Sequence, residues 1–216
     1  MKTALIIGST GLVGAQLLNL ILESPVYDKV VVFVKRDTAI KHPKLIQHLI
    51  DFDKIENYQN LVVGDDFFCT IGTTIKKAGS QEAFKKVDLI YPKQFAQIAL
   101  KNKVSQFLII SSLGANEQST NFYLKTKGEM EAFLKKLTFK STIILRPSLL
   151  LGNRTEFRVG EKFGAIFMKT ISILLFGKLQ KYKPIESKTV AKALFELAQQ
   201  NQDGFKIYES NEIQNF

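Results

Sequence analysis

The sequence feature that most constrains the fold is a glycine-rich turn between an apolar run and an amphipathic stretch. The segment Gly8-Ser9-Thr10-Gly11-Leu12-Val13-Gly14 follows the apolar residues 4–7, and apolar side chains then recur at helical spacing over residues 17–22. Glycine allows a sharp turn and lets the backbone approach a pyrophosphate closely. A helix that begins at such a turn directs unpaired N–H groups and its positive dipole end at phosphate. This order of strand, turn and helix predicts the first unit of a dinucleotide-binding sheet.

The rest of the chain continues the alternation of strands and helices. Residues 30–34 form an uninterrupted apolar run, typical of a parallel strand covered on both faces. We predict further strands at 45–50, 66–71, 106–110, 142–145 and 205–208, and helices at 84–101, 123–137 and 189–199. Pro92 would either kink the helix around it or lie near its start.

The predicted fold class is α/β, a doubly wound parallel sheet (Rossmann fold) with a small C-terminal substrate lobe. One domain would span residues 1–216, and the lobe would be built mainly from residues 153–184. Ligands of such sheets bind beyond the carboxyl ends of the strands, where the strand order reverses. The candidate site residues described below nearly all follow predicted strands.

Composition narrows the protein class. A chain of 216 residues with 45% hydrophobic content can bury a core without disulfides, and its single cysteine, Cys69, is expected to pack in that core. The absence of a recognisable signal peptide and of a long apolar span predicts a cytoplasmic protein without a transmembrane segment. His42 and His48 lack partners at metal-ligand spacing, so we expect no metal.

The net charge of +10 comes entirely from residues 120–192, which hold 15 Lys and Arg against 5 Asp and Glu. This segment is either a solvated basic face or a surface that attracts an anionic cofactor, an anionic substrate or a membrane. Arg154, Arg158 and Lys162 would clamp an anionic small-molecule substrate or lie in solvent. The apolar residues 166–176 would pack in the core, contact a second subunit or touch a membrane peripherally, which leaves the oligomeric state open. No nucleic-acid-binding motif is present.

A candidate catalytic pair lies on the predicted helix 123–137. Tyr123 and Lys127 are four residues apart and therefore share one helix face. A neighbouring ammonium favours the phenolate, which suits a tyrosine to proton exchange. Ser111 and Ser112 end a buried strand shortly before this helix, and a hydroxyl there can donate to a substrate carbonyl as negative charge develops on it.

The G-x-x-G-x-x-G turn, the strand-end serines and the Y-x-x-x-K helix resemble the short-chain dehydrogenase/reductase superfamily, in its extended or atypical branches. The chain is similar in particular to the Tat-interactive-protein-like NAD(P)H-binding oxidoreductases, and the similarity covers residues 2–199. Seven segments carry it: Phe68-Cys69-Thr70-Ile71-Gly72-Thr73-Thr74, Lys77-Ala78-Gly79, Val87-Asp88, Ser111-Ser112-Leu113-Gly114-Ala115, Asn121-Phe122-Tyr123, Lys127-Gly128-Glu129 and Arg146-Pro147.

The resemblance implies a role for each matching position. Ser112, with Ser111 as the alternative, would polarise the substrate carbonyl; Tyr123 would be the general acid/base; Lys127 would assist Tyr123 and hold the nicotinamide ribose. The remaining implied cofactor contacts are Gly8, Ser9, Thr10, Gly11, Leu12 and Val13 at the pyrophosphate, Asp51 and Phe52 at the adenine, Ile71, Gly72 and Thr73 at the adenosine and ribose, and Pro147 and Leu149 beside the nicotinamide.

The end of the second strand bears on the choice of cofactor. A carboxylate there suits the ribose 2′-hydroxyl of NAD, whereas basic residues suit a 2′-phosphate. Lys35 and Arg36 occupy this place and favour NADP(H), because a guanidinium binds phosphate in a two-pronged fashion. Asp37 follows them, and NAD(H) would be accepted if that carboxylate faces the ribose.

Three functions fit these residues. The first is an NADP-dependent oxidoreductase that transfers hydride to or from a small carbonyl or alcohol substrate. The second is an NAD(P)H-binding regulatory or redox-sensing protein with little turnover, and the presence of both Ser112 and Tyr123 favours the enzyme over it. The third is an epimerase or dehydratase, which the short segment after Arg146 disfavours because a sugar-nucleotide site needs more chain.

Overall fold

A seven-stranded parallel sheet forms the centre of the molecule. The computed structural model describes residues 2–152 and 177–216. The strands in these ranges are β1 (Lys2–Ile7), β2 (Tyr27–Val34), β3 (Leu45–Leu49), β4 (Asp66–Cys69), β5 (Gln106–Ile110), β6 (Ser141–Arg146), β7 (Leu150–Leu151), β8 (Ile185–Glu186) and β9 (Gly204–Glu209). The sheet order is β3-β2-β1-β4-β5-β6-β9, and β7 and β8 pair separately. The chain reverses its direction across the sheet between β1 and β4, which places a ligand-binding crevice there.

Helices cover both faces of this sheet. They are α1 (Leu12–Glu23), a 3₁₀ helix (Phe52–Leu61), α2 (Ile75–Ala78), α3 (Gln81–Lys85), a π-helical turn (Lys86–Ile90), α4 (Tyr91–Lys101), α5 (Phe122–Leu134), a second 3₁₀ helix (Gly177–Tyr182), α6 (Ser187–Gln199) and α7 (Ser210–Ile213). The predicted doubly wound α/β fold is confirmed.

Two apolar clusters hold these layers together, one on each side of the sheet. Neighbouring residues of β1 alternate between them, so that Ile6 packs with α1 and α6 while Leu5 packs under the opposite layer. Aromatic rings fill the second cluster, where Phe67 stacks on Phe107 with ring centroids 5.0 Å apart. Cys69 is fully buried there, as expected, and burial raises the pKa of its thiol to about 12. A thiol with that pKa is not a nucleophile at neutral pH.

The helix predicted at 84–101 begins earlier in the structure and is interrupted by a π turn. Helical structure begins at Gln81, and the π turn Lys86–Ile90 interrupts it just before Pro92. Proline lacks an N–H donor, and its ring clashes with the carbonyl four residues earlier, which belongs to Asp88. A wider turn at this point removes the clash and sets Pro92 in the first turn of α4.

The amino-terminal end of the sheet carries a buried polar network remote from the glycine turn. The Asp66 carboxylate accepts hydrogen bonds from Tyr27 Oη at 2.7 Å and from Gln106 Nε2 at 2.8 Å, and Lys2 Nζ lies 3.2 Å away. The Asp66 carboxylate is thus satisfied at both oxygens, and burial beside Asp66 raises the pKa of Tyr27. The network ties β1, β2, β4 and β5 together and is structural.

The predicted lobe falls largely on residues 153–176, outside the described part of the chain, as do Arg154, Arg158, Lys162 and the apolar stretch 166–176. Of the remainder, Gly177–Tyr182 forms the second 3₁₀ helix. The expected final strand at 205–208 extends over Gly204–Glu209 and pairs with β6 as the seventh strand of the sheet.

Candidate functional site

The glycine turn lies at the carboxyl end of β1, packed against the chain that leaves β4. Gly8 has a φ of +85°, and a Cβ on Gly14 would lie 2.1 Å from the Gly8 carbonyl oxygen and 2.5 Å from Thr70 Oγ1. Both positions therefore need glycine. Gly11 precedes α1 and has no side chain to cap it, so the first N–H groups of this helix are not engaged by its N-cap residue.

Ser9 and Thr10 form the tip of this turn. Ser9 is buried, and its hydroxyl contacts no hydrogen-bonding partner among the residues that the structure describes. A buried hydroxyl without a partner is unusual in a folded protein. The turn thus combines a free hydroxyl, an uncapped helix and a closely packed backbone, which together suit a pyrophosphate.

Helix α5 carries the candidate catalytic residues. Asn121 accepts a hydrogen bond from the Leu124 amide at 3.1 Å and caps the helix immediately before Tyr123. The Tyr123 ring is half-buried, with its centroid 5.5 Å from that of Phe84, and its hydroxyl makes no hydrogen bond within the described ranges. It is free to reach a bound ligand.

Lys127 lies one turn further along the same face and is buried. Its Nζ atom is 2.7 Å from Asp88 Oδ1 and 3.5 Å from the Ile110 carbonyl oxygen at the end of β5. Burial lowers the pKa of Lys127, but the charges of Asp88 and Tyr123 outweigh that penalty and leave the pKa above its ordinary value. Lys127 is therefore a fixed ammonium ion beside Tyr123.

Asp88 has no assigned role in the sequence interpretation, although Val87-Asp88 is one of the segments that carry the family resemblance. Its second oxygen, Oδ2, accepts a hydrogen bond from the Thr73 amide at 2.9 Å. A Cβ on Gly72 would lie 3.4 Å from Asp88 Oδ1 and 4.0 Å from Lys127 Nζ. The turn 71–73 and the face of α5 therefore meet at Asp88. The sequence signal that could have identified Asp88 is an acidic residue within the otherwise apolar residues 87–90 of the predicted helix.

The strand-end serines differ in their surroundings. Ser111 is buried, and no acceptor or donor in the described structure contacts its hydroxyl, whereas Ser112 is half-buried with its Oγ 3.4 Å from the Leu113 carbonyl oxygen. The loop that follows them rests directly on α5. A Cβ on Gly128 would lie 2.1 Å from the carbonyl carbon of Asn116, so this glycine allows the serine loop to approach Lys127.

A partly buried ion pair anchors the end of β6 to α5. The Arg146 guanidinium donates to Glu131, with Nε 3.0 Å from Oε1, and the hydrogen bond to Glu131 raises the pKa of Arg146. Pro147 follows, and its carbonyl oxygen accepts from the Leu113 amide at 3.0 Å. Leu149 is half-buried, and its carbonyl accepts from the Ile185 amide. The two residues expected beside the nicotinamide are thus linked to the serine loop and to β8.

The residues expected at the adenosine end also come together. Lys35 Nζ lies 5.5 Å from the centroid of the Phe52 ring and 5.6 Å from that of Tyr91. Asp51 is exposed and accepts from the Asp53 amide at 3.0 Å, which caps the first 3₁₀ helix. Phe52 itself packs in the apolar core and is only 5% exposed, so little of it is open to a ligand.

Arg36 and Asp37 continue the turn after β2. Arg36 is exposed, and no ion pair engages it within residues 2–152 or 177–216. Asp37 Oδ1 accepts from the Ala39 amide at 2.9 Å, so one of its oxygens is held by its own turn. This leaves Arg36 available for a ligand phosphate.

The two histidines have structural surroundings. His42 Nδ1 accepts from the Lys44 amide at 3.2 Å, and the His48 ring lies 5.7 Å from that of Phe33. Burial lowers the pKa of His48.

The glycine turn, the crevice between β1 and β4 and the surrounding polar groups define an NAD(P)-binding Rossmann protein. In agreement, residues 8–174 match the family described as NAD(P)H-binding. The chain belongs to this family, and within it to the atypical branch of the short-chain dehydrogenase/reductase superfamily. The resemblance inferred from the sequence motifs is thereby confirmed.

Two sets of relatives support this assignment. The mitochondrial protein FMP52 of Debaryomyces hansenii is 38% identical over 215 residues, a match that covers 91% of this chain and 87% of the relative. The protein HTATIP2 of Rattus norvegicus is 35% identical over 164 residues, covering 74% of this chain and 67% of the relative. Neither name states a substrate or a reaction.

Solved structures share the fold. The Bordetella bronchiseptica enzyme WbmH in complex with NAD+ superimposes with a TM-score of 0.71 at 19% identity, covering 100% of this chain and 79% of that one. MoeE5 in complex with UDP-glucose and NAD gives a TM-score of 0.70 at 13% identity, covering 98% and 79%. At such low identity the similarity concerns the fold alone.

The expectation of a cytoplasmic protein is contradicted. Relatives from Debaryomyces hansenii and Candida albicans are named as mitochondrial proteins. The expectation relied on the absence of a secretory signal and of a long apolar span, and neither observation distinguishes the cytosol from an organelle. Throughout the described ranges, the helices are too short or too polar to cross a membrane.

Proposed function

We propose that this protein is an NADP(H)-dependent oxidoreductase that transfers hydride to or from a small carbonyl or alcohol substrate. The observation that supports this most is the position of Tyr123 and Lys127. They share the face of α5 that meets the turn after β4 and the strand-end serines, and that turn packs against Gly8. The acid/base group would therefore face the cofactor crevice.

The residues divide the chemistry between them. The nicotinamide, when bound, supplies or accepts the hydride. Tyr123 donates its hydroxyl proton to the substrate oxygen during reduction and takes it back during oxidation. Ser112, with Ser111 as the alternative, donates a hydrogen bond to the same oxygen as it gains negative charge. Lys127 remains protonated, stabilises the tyrosine after proton transfer and holds the nicotinamide ribose.

The preference for NADP(H) over NAD(H) rests on Lys35 and Arg36. Two cations follow β2, and Arg36 is exposed without an ion-pair partner in the described structure. A guanidinium in this place suits the 2′-phosphate. Fluorescence titration should show tighter binding of NADPH than of NADH, and Arg36→Ala should remove the difference. Lys188→Ala removes an exposed cation from α6 and should leave both affinities unchanged.

Turnover is tested with a panel of carbonyl compounds and NADPH. Wild type should reduce at least one of them, and Tyr123→Phe should lower kcat by at least about 100-fold, the usual contribution of a positioned proton donor. Tyr208→Phe removes a hydroxyl on β9 that donates a hydrogen bond to Gln202, and this variant should retain activity. Full activity of Tyr123→Phe would refute the mechanism.

The same panel distinguishes the alternatives. An NAD(P)H-binding regulatory protein would bind the nucleotide and reduce none of the compounds, and its Tyr123→Phe variant would bind equally well. An epimerase or dehydratase would return NADPH unchanged while converting a sugar nucleotide. Variants of Ser111 and Ser112 to alanine, compared at saturating cofactor, identify which hydroxyl contacts the substrate.

A further inference from the structure

Asp88 occupies an anomalous position in the π turn between α3 and α4. Its side chain is 1% exposed, whereas Ile90, two residues later in the same turn, is 44% exposed. Burying a carboxylate while leaving an isoleucine in solvent costs free energy in both respects. Packing alone does not account for this arrangement, so the position of the carboxylate itself calls for an explanation.

The contacts of Asp88 link two separate parts of the site. One oxygen lies 2.7 Å from Lys127 Nζ on α5, and the other accepts from the Thr73 amide at 2.9 Å in the turn after β4. A carboxylate can accept at both oxygens, whereas an amide of the same shape accepts at only one. An acid at this position can therefore pair with the Lys127 charge at one oxygen while it accepts from the Thr73 amide at the other.

We propose that Asp88 is a positioning residue: it keeps Lys127 protonated and fixed in place, and it holds the turn 71–73 in register with that ammonium group. The proposal rests on the proposed function, since it takes Lys127 to act on the cofactor and on Tyr123. None of the relatives' names assigns this role.

The electrostatics of Lys127 explain why such a partner is needed. A buried ammonium without a counter-charge releases its proton at lower pH. Among the residues that the structure describes, the titratable groups that face Lys127 are Asp88 from the π turn, Tyr123 from its own helix and Cys69 from β4. Asp88 makes the largest favourable contribution of the three, and its Oδ1 atom lies 2.7 Å from Lys127 Nζ. Asp88 is therefore the group that does most to keep Lys127 charged.

Direct titration of Lys127 tests the proposal without any substrate or nucleotide. The protein is labelled with ¹³C at lysine Cε, and the Lys127 signal, assigned by its loss in Lys127→Arg, is followed with pH. In wild type the signal should stay constant to above about pH 10.4, the ordinary lysine value. In Asp88→Asn the transition should move at least about one pH unit lower, because burial is then uncompensated.

Asp66→Asn is the matched control. Asp66 is an equally buried carboxylate with its own lysine partner, but it lies at the amino-terminal end of the sheet. The Asp66→Asn substitution should destabilise the fold and leave the titration of Lys127 unchanged. An unchanged transition in Asp88→Asn, or a shift as large in Asp66→Asn, would overturn the proposal. If Asp88→Asn does not fold, the wild-type titration still decides, because a transition below the ordinary lysine range contradicts it.

Nucleotide binding supplies the functional measurement. NADPH affinity of Asp88→Asn should fall about tenfold between pH 7 and pH 9, while that of wild type and Asp66→Asn stays constant. Asp88→Glu, which keeps the charge, should restore the wild-type pH dependence in part. If wild type does not bind NADPH, the proposed function fails, and the lysine titration still answers whether Asp88 controls Lys127.

Discussion

Substitution of Gly14 by alanine should damage the nucleotide site through a backbone clash that can be calculated from the structure. The added Cβ would lie 2.1 Å from the Gly8 carbonyl oxygen, whereas ordinary contact begins at 3.4 Å. Either the turn or α1 must therefore move by more than about 1 Å, because that is roughly the difference between the clash distance and the ordinary contact distance. The Gly8 carbonyl group cannot move away easily, because Gly8 itself packs against the backbone of Thr70 and Ile71.

The expected cost follows from two opposing effects. Overpacking a close contact costs about 1–3 kcal/mol, and this clash with backbone falls at the upper end. Alanine regains about 1 kcal/mol of helix propensity within α1. A net loss of about 2 kcal/mol predicts a fall in Tm of about 4–8 °C for a domain of this size. Displacement of the turn should also weaken NADPH binding at least about tenfold.

The assay combines thermal unfolding followed by circular dichroism with fluorescence titration of NADPH. Gly79→Ala is the control, because Gly79 has a φ of +85° but an added Cβ there meets no atom within 4 Å. It should lower Tm through backbone strain and leave NADPH affinity unchanged. A Gly14→Ala protein with wild-type Tm and affinity would refute the close approach of turn and helix.

Three further predictions concern buried groups around the site. Gly128→Ala should displace the serine loop from α5 and lower kcat with little change in NADPH affinity. Steady-state kinetics would measure kcat, and titration would measure the affinity. Equal losses in both would contradict this local effect. Glu131→Ala leaves the Arg146 guanidinium with Glu209 alone, 3.9 Å away, and should cost about 2 kcal/mol in chemical denaturation. Glu196→Ala, from an exposed pair on α6, should cost less than about 1 kcal/mol. The Cys69 thiol should not react with Ellman's reagent at pH 8 until the protein is unfolded, and rapid labelling of the native protein would show that it is accessible.

Much of the fold could be predicted from the sequence because the relevant signals are local. The buried run before Gly8, the glycines and the apolar period after them act within about twenty residues, and they predict a βα unit whatever the rest of the chain does. The strands at 106–110 and 45–50 agree with the structure to within one residue for the same reason. Boundaries were less exact where a tertiary contact extends an element, as when pairing with β6 lengthens the last strand to Gly204–Glu209.

The candidate site could be predicted only in part. Tyr123 and Lys127 were recognised as one helix face because a spacing of four residues is a local property. The partner of Lys127 could not be found in this way, since Asp88 is 39 positions away and reaches it only through the π turn and the packing of two helices. The assignments of Ser112, Arg36 and the other cofactor contacts stay predictions, which the variants above test.

The sequence by itself determined the class of the protein: a glycine turn between a strand and a helix, followed by alternating elements, leads to a doubly wound dinucleotide-binding sheet. Only the tertiary structure decided which groups share the site. Asp88 joins Lys127 to the Thr73 amide, Gly128 admits the serine loop and Glu131 anchors Arg146. The physical reason is that turns and helix periodicity depend on neighbours along the chain, whereas ion pairs and close backbone contacts depend on distances that form only when distant segments pack together.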